Sequence, residues 1–111
     1  MLIEHHQSEE IYICGIAGRL DSLHSPILEE RLDAMISSGQ TPLVIDCSGL
    51  EYVSSAGLRV FLATQKKMRL SKAKMAICSA SKAVREIFEI SGFLTIIEFH
   101  ADRAAAVRSL S

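Results

Sequence analysis

The chain has no apolar run approaching the roughly 20 residues that span a bilayer. Its first residues, Met1 to Gln7, have no basic segment leading into an apolar one, the layout of a secretory signal. Together these absences predict a cytoplasmic protein with no membrane insertion. No CxxC spacing occurs: Cys14, Cys47 and Cys78 stand far apart, and an odd, unpaired set predicts reduced thiols. No block of Lys and Arg stands out, and the formal net charge is -1. Direct nucleic-acid binding needs clustered cations on the phosphate backbone, so none is expected. Lys66, Lys67 and Arg69 read instead as a solvated helix end that suits the helix dipole.

The motifs of several chemistries are also missing. Gly15 and Gly18 are too few and wrongly spaced for a phosphate-cradling glycine loop of either the GxxxxGK[ST] or the GxGxxG kind. No HxxxH or Cys–His spacing supports a metal site. His5 and His6 are adjacent, and successive strand residues face opposite ways, so they do not chelate together. The GxSxG elbow of a serine hydrolase is absent, and nothing in the sequence brings His5, His6, His24 or His100 to a serine, as a triad requires. No metal, cofactor or enzymatic activity is implied.

What remains is one ordinary domain, residues 1–111, with 49% hydrophobic and 23% charged residues. Leu2 to Gln7 reads as an edge strand, with a hairpin at Ser8 and Glu9. The β-branched segment Ile11 to Ala17 reads as a better-buried strand. Arg19 to His24 reads as a loop. Ser25 and Pro26 predict a capped helix start. Leu28, Leu32, Met35 and Ile36 share one helical face, and Gly39 ends that helix. Leu43-Val44-Ile45 reads as a central strand covered on both sides. A second helix is expected from Ser54 or Ser55 to about Leu70, with Leu58, Phe61 and Leu62 inward. Met75 to Cys78 is a further strand. Ser81 caps a third helix with Val84, Ile87 and Phe88 inward; Gly92 stops it and Phe93 packs back on Phe88. Ile96, Ile97 and Phe99 form a last strand, and Asp102 to Leu110 a short final helix. The three cysteines fall on or beside strands and read as core. The order β-β-α-β-α-β-α-β-α predicts an α/β sandwich: a mixed, mostly parallel sheet of four to five strands packed with about four helices.

Functional loops of parallel sheets lie at the carboxyl ends of their strands. The stretch after Leu43–Ile45, Asp46 to Arg59, is the most unusual in the chain: two adjacent hydroxyls, Ser54 and Ser55, stand where a helix begins, followed by Ala56 and Gly57. One reading is a plain helix cap. The other is an accessible hydroxyl at a natural anion site, where free N–H groups and the helix dipole favour a phosphate. Local sequence leaves both open.

Tyr52-Val53-Ser54-Ser55-Ala56-Gly57-Leu58 resembles the signature of STAS-domain anti-sigma factor antagonists. Gly18-Arg19-Leu20-Asp21 resembles the turn that follows the family's second strand. Ser81 to Phe88, with Ser91-Gly92-Phe93, resembles its later helix and turn. The resemblance spans nearly the whole chain and implies a partner switch. In the family the unphosphorylated antagonist binds an anti-sigma factor that is also a serine kinase of the histidine-kinase-like ATPase fold, and so frees the sigma factor. Phosphorylation of one serine releases the antagonist, and a PP2C-type phosphatase restores it. The acceptor matches Ser55, with Ser54 the alternative; Ser54 stands where the best-known members carry an acid. Asp21 matches a loop acid near the kinase-facing surface. The implied contact surface is Asp21, Ser54, Ser55, Ala56, Gly57 and Arg59. A STAS module of a transporter or secretion regulator, or a small serine-dependent enzyme, are the competing expectations.

Overall fold

The computed structural model describes residues 1–8, 10–36, 41–92 and 95–111, with the backbone alone at His6 and Ser8. The expected roles of Glu9 in the hairpin, Gly39 as a helix stop and Phe93 against Phe88 fall outside these residues.

Alternation of apolar side chains along three strands builds two cores, one on each face of a sheet. The chain runs β1 (Leu2–Ser8), β2 (Ile11–Leu20), α1 (Ser25–Ile36), β3 (Leu43–Val53), α2 (Ser55–Leu70), β4 (Met75–Cys78), α3 (Lys82–Ile90), β5 (Glu98–His100) and α4 (Arg103–Leu110). The sheet order is β1-β2-β3-β4-β5, antiparallel only between β1 and β2. On one face Cys14, Ile16, Leu43, Ile45 and Ile77 meet Leu28 and Leu32 of α1, Phe61 of α2 and Phe88 of α3. On the other, Ile11, Ile13, Val44, Ala76 and Cys78 meet Ala106, Val107 and Leu110 of α4. The edge-to-face contacts Phe61–Phe88 and Phe88–Phe99, both with centroids 5.1 Å apart, join α2, α3 and β5 through the larger core. Cys14, Cys47 and Cys78 are free and buried, as expected of core thiols.

The expected mixed α/β architecture is present, with five strands and four helices, but several boundaries differ. β2 continues through Arg19 to Leu20, and β3 continues from Ile45 to Val53. The cause is two irregularities in their pairing. Gly15 pairs with Asp46 and Ala17 with Gly49, so β3 carries an extra residue; a second extra residue falls between the pairs Gly18–Leu50 and Arg19–Tyr52. Such bulges replace strict alternation with the pattern buried-exposed-exposed-buried from Cys47 onward, which looks like a loop in sequence. β5 is shorter than expected, and α4 begins at Arg103 with Asp102 as its cap.

The start of α1 also differs. Ser25 is not the cap but the first helical residue, and its hydroxyl donates to the Asp21 carbonyl at 2.6 Å. Asp21 supplies the cap chemistry instead. Along α2 the buried stripe is Gly57, Val60, Phe61, Thr64 and Met68, while Leu58 and Leu62 are half-buried. The stripe turns because Gly57 lets the helix lie directly on Leu20.

Candidate functional site

The two bulges carry β3 to the carboxyl end of the sheet and deliver Val53 into the core beside Leu20. The next residue, Ser54, donates its N–H to the Leu20 carbonyl at 2.9 Å. This single bond fixes the start of α2 to the end of β2, and therefore to the Asp21 loop that follows.

The two serines then part. Ser54 has extended backbone (φ -85°, ψ 173°), and its Oγ accepts the Gly57 N–H at 3.2 Å. Its carbonyl accepts the Leu58 N–H at 2.9 Å, closing the first helical turn. Ser54 is thus the N-cap, half-buried and engaged. Ser55 is the first helical residue, exposed, and its hydroxyl takes no hydrogen bond among the described residues. The N–H groups of Ser55 and Ala56 have no carbonyl behind them in the helix and point toward the same space.

Gly57, expected in the contact surface, is buried, and a Cβ there would stand 2.8 Å from Leu20 Cγ and 3.1 Å from the Leu20 carbonyl oxygen. It seats α2 on β2. Ala56 is half-buried and Arg59 exposed, and both line a groove of about 210 Å³ between α2 and the start of α1. Ser22, Pro26 and Glu29 form its other wall.

Asp21 closes the site on the α1 side. One carboxylate oxygen accepts the Leu23 N–H at 3.1 Å, the His24 N–H at 3.0 Å and sits 2.7 Å from His24 Nδ1. The His24 backbone donor, followed by the His24 ring, holds the Asp21 carboxyl below the usual carboxylate range. The fold therefore pairs His24 with Asp21, which the sequence alone did not suggest. Ser55 takes no hydrogen bond from that pair, so the nucleophile-to-base link of a hydrolase is not made among the described residues.

Two further residues belong to this surface. Leu23 is 73% exposed in the Asp21 loop and Ile27 is 49% exposed in the first turn of α1. Ile27 lies off the Leu28, Leu32 and Met35 stripe, which was the available signal that it faces solvent. On the β3 side, the Arg19 guanidinium stacks 4.4 Å from the exposed Tyr52 ring. The pairing of Arg19 with Tyr52 follows from the second bulge and is not legible in sequence. The site is thus an exposed hydroxyl at the start of α2 beside an open, shallow groove, with exposed apolar side chains in the Asp21 loop and the first turn of α1.

Known proteins match this arrangement. The family model for the STAS domain matches residues 3–106. BtrV of Bordetella bronchiseptica, named as an anti-sigma factor antagonist, is 39% identical over 94 residues, covering 85% of this chain and 81% of that protein. A crystal structure of an anti-sigma factor antagonist from Mycobacterium paratuberculosis superposes with a TM-score of 0.91 at 20% identity, covering 98% and 92% of the two chains. The unphosphorylated form of the antagonist SpoIIAA superposes with a TM-score of 0.82 at 17% identity over 97% and 96%. SpoIIAA of Bacillus has also been solved phosphorylated, with a TM-score of 0.75 at 16% identity over 97% and 99%. With the family model covering nearly the whole sequence, the chain belongs to the STAS domain family.

Proposed function

We propose that this protein is a cytoplasmic anti-sigma factor antagonist whose binding is switched by phosphorylation of Ser55. The observation that carries the reading is the division of labour between the two serines. Ser54 is spent on the cap, while Ser55 offers an exposed, unengaged hydroxyl on the same turn. The names of relatives such as BtrV support antagonism of an anti-sigma factor, and the two forms of SpoIIAA support a phosphate cycle.

In this reading the unphosphorylated protein docks an anti-sigma factor that is also a serine kinase of the histidine-kinase-like ATPase fold. The docking face is Ser55, Ala56 and Arg59 of α2, the Asp21 loop, and the exposed Leu23 and Ile27. Ser54 contributes by holding the turn. The kinase transfers phosphate to Ser55, and a PP2C-type phosphatase removes it.

The electrostatics give the direction of the switch. Phosphoserine carries about -1.5 to -2 charges near neutral pH. At the first position of α2 the free N–H groups and dipole favour that charge, so the fold survives. Burying the same dianion against a partner without a matching cation costs several kcal/mol. Two decades of lost affinity need only about 2.8 kcal/mol.

The test is incubation with the cognate kinase, ATP and magnesium, followed by mass-spectrometric mapping. Phosphate is expected on Ser55 and absent from Ser55→Ala. Equal incorporation into Ser55→Ala would move the switch elsewhere. Spontaneous ester hydrolysis abolished by Ser55→Ala would replace the binding reading with an enzymatic one.

A further inference from the structure

The opposite end of α2 carries a feature that the switch does not use. Lys66, Lys67, Arg69, Lys72 and Lys74 are five of the chain's 12 Lys and Arg residues; they fall within nine positions that contain no acid, and all five are exposed. The first three lie on the helix. After the helix come Lys72 and Lys74, and Lys74 lines the same groove as Arg69. Lys67 is engaged with Asp33 at 2.7 Å. The other four have no carboxylate within ion-pair distance among the described residues.

The turn is held at a cost. Ala73 N–H bonds the Met68 carbonyl at 2.9 Å and Lys72 N–H bonds the Arg69 carbonyl at 3.0 Å, a Schellman ending with Lys72 at φ +61°. That position favours glycine, and α3 does end on Gly92 at φ +78° with its N–H on Glu89. A lysine in the left-handed region is strained by about 1 kcal/mol. The strain places one more cation at this end.

Beside the cations is a groove of about 340 Å³. Arg69 and Lys74 border it, and Ile96 gives it exposed apolar surface, while Met75, which also lines it, is buried. Gln65 lies in it with Nε2 donating to the Ile96 carbonyl at 3.1 Å, while its Oε1 is buried with no donor among the described residues. Glu98 also borders the groove, and its carboxylate already accepts the Ser109 hydroxyl. Leu70, next to Arg69, is 85% exposed.

We infer that this end is a second docking site, which takes an acidic, leucine-containing segment of a protein partner. The cations meet the carboxylates, and the exposed apolar surface of Leu70 and Ile96 meets the leucines. Concavity and apolar content favour a peptide over a flat lipid surface or a nucleic-acid strand. Ser55 and Arg69 are 14 helical residues apart, about 21 Å at 1.5 Å per residue. Both sites can therefore be engaged at once, and the second partner is independent of the phosphate switch.

Fluorescence polarisation with a labelled twelve-residue peptide of Glu, Asp and Leu tests this. Binding is expected to weaken with rising salt and to fall at least tenfold in the double reversal Arg69→Glu and Lys74→Glu, with Ser55→Ala unchanged. Amide NMR shifts are expected at residues 65–75 and at Ile96 and not at Ser55. A peptide with the same charge and no leucine is expected to bind at least tenfold more weakly. The inference is overturned if the peptide fails to bind at millimolar concentration, if the reversal leaves binding intact, or if the leucine-free peptide binds equally. It is also overturned if vesicles with anionic lipid or a single-stranded oligonucleotide outcompete the peptide through the same residues.

Discussion

Exchanging the two adjacent serines separately should produce opposite phenotypes. Ser54→Ala removes the oxygen that accepts the Gly57 N–H and leaves that donor, half a turn into α2, without its cap. Loss of a serine cap destabilises by about 1 kcal/mol, within a range of roughly 0.5 to 2. Unfolding entropy of about 2.1 cal/mol/K per residue over 111 residues converts this to a fall in Tm of about 4 °C. Ser55→Ala removes an exposed hydroxyl with no partner, so its effect stays within about 0.5 kcal/mol. Yet Ser55→Ala is expected to abolish phosphate incorporation, whereas Ser54→Ala should remain a substrate.

Ser55→Glu completes the set. A carboxylate at the first position of a 16-residue helix interacts favourably with its dipole, by about 0.3 to 1 kcal/mol. Its Tm should equal or exceed that of the unaltered protein, while affinity for the anti-sigma factor falls a hundredfold or more. Calorimetry and titration on the same four proteins decide the matter. If Ser55→Ala lost the 4 °C and Ser54→Ala melted normally, the assignment of cap and acceptor would be reversed. If Ser55→Glu bound undiminished, or if phosphorylation exposed α2 amides to hydrogen exchange, local repulsion would not be the switch.

Other positions give independent checks. Gly57→Ala should destabilise by about 1 to 3 kcal/mol in urea despite alanine's better helix propensity, because its Cβ meets Leu20 at 2.8 Å. Asp46 is buried, which pushes its carboxyl up, but the Ser48 N–H at 2.9 Å and Arg103 at 2.8 Å outweigh burial and hold it below its ordinary value. A lowered folded pKa means that its stabilising contribution is complete above the ordinary carboxylate range and is lost as pH falls from there through the lowered folded value. Arg103→Met should therefore remove about 1 to 2 kcal/mol at pH 7, move the acid-unfolding midpoint followed by circular dichroism to higher pH, and approach the parent once Asp46 is protonated in the folded protein. Burial pushes the Cys14 thiol up to about 11 and raises Cys47 and Cys78 as well, so Ellman's reagent at pH 8 should label none of the three until the protein unfolds. Lys72→Gly should relieve the left-handed strain and raise stability by up to about 1 kcal/mol, read from the urea midpoint.

The parts of the fold that were legible share a cause: one period dominates the local pattern. Leu28, Leu32 and Met35 repeat at helical spacing and are buried together. Val84 and Phe88 do the same between a Ser81 cap and a Gly92 stop, both of which the structure contains. The second half of β3 was illegible because its bulges remove alternation: Leu50 and Val53 face inward three residues apart, with polar or exposed residues between them. Asp21 was legible as a loop acid by resemblance but not as the residue that caps α1, since its carboxylate reaches forward to N–H groups that form a turn only after the chain folds. Leu23 was missed because it lies in a polar stretch, where its exposure is a tertiary property; Ile27 sits directly beside the buried Leu28, and only its place off that helical stripe signals that it faces solvent.

The two serines show where sequence reasoning stops. Ser54 and Ser55 are chemically identical, adjacent and both compatible with a helix start, so composition and spacing treat them alike. What separates them is one backbone conformation. The extended ψ of 173° at Ser54 turns its Oγ toward the Gly57 N–H, and the next residue enters the helix with its hydroxyl outward. That conformation is set from a distance, by the Ser54 N–H bonded to the Leu20 carbonyl and by the missing side chain of Gly57 that lets α2 settle on Leu20. Leu20 in turn is placed by the bulged pairing of β2 with β3. In the proposed reading, the choice of acceptor therefore depends on strand register. A change that straightened the β3 bulges, such as deletion of Glu51, should disturb which serine is presented before it disturbs the chemistry of either hydroxyl. Phosphate mapping on such a variant would show Ser55 losing its selectivity while the kinase remains fully active on the parent protein.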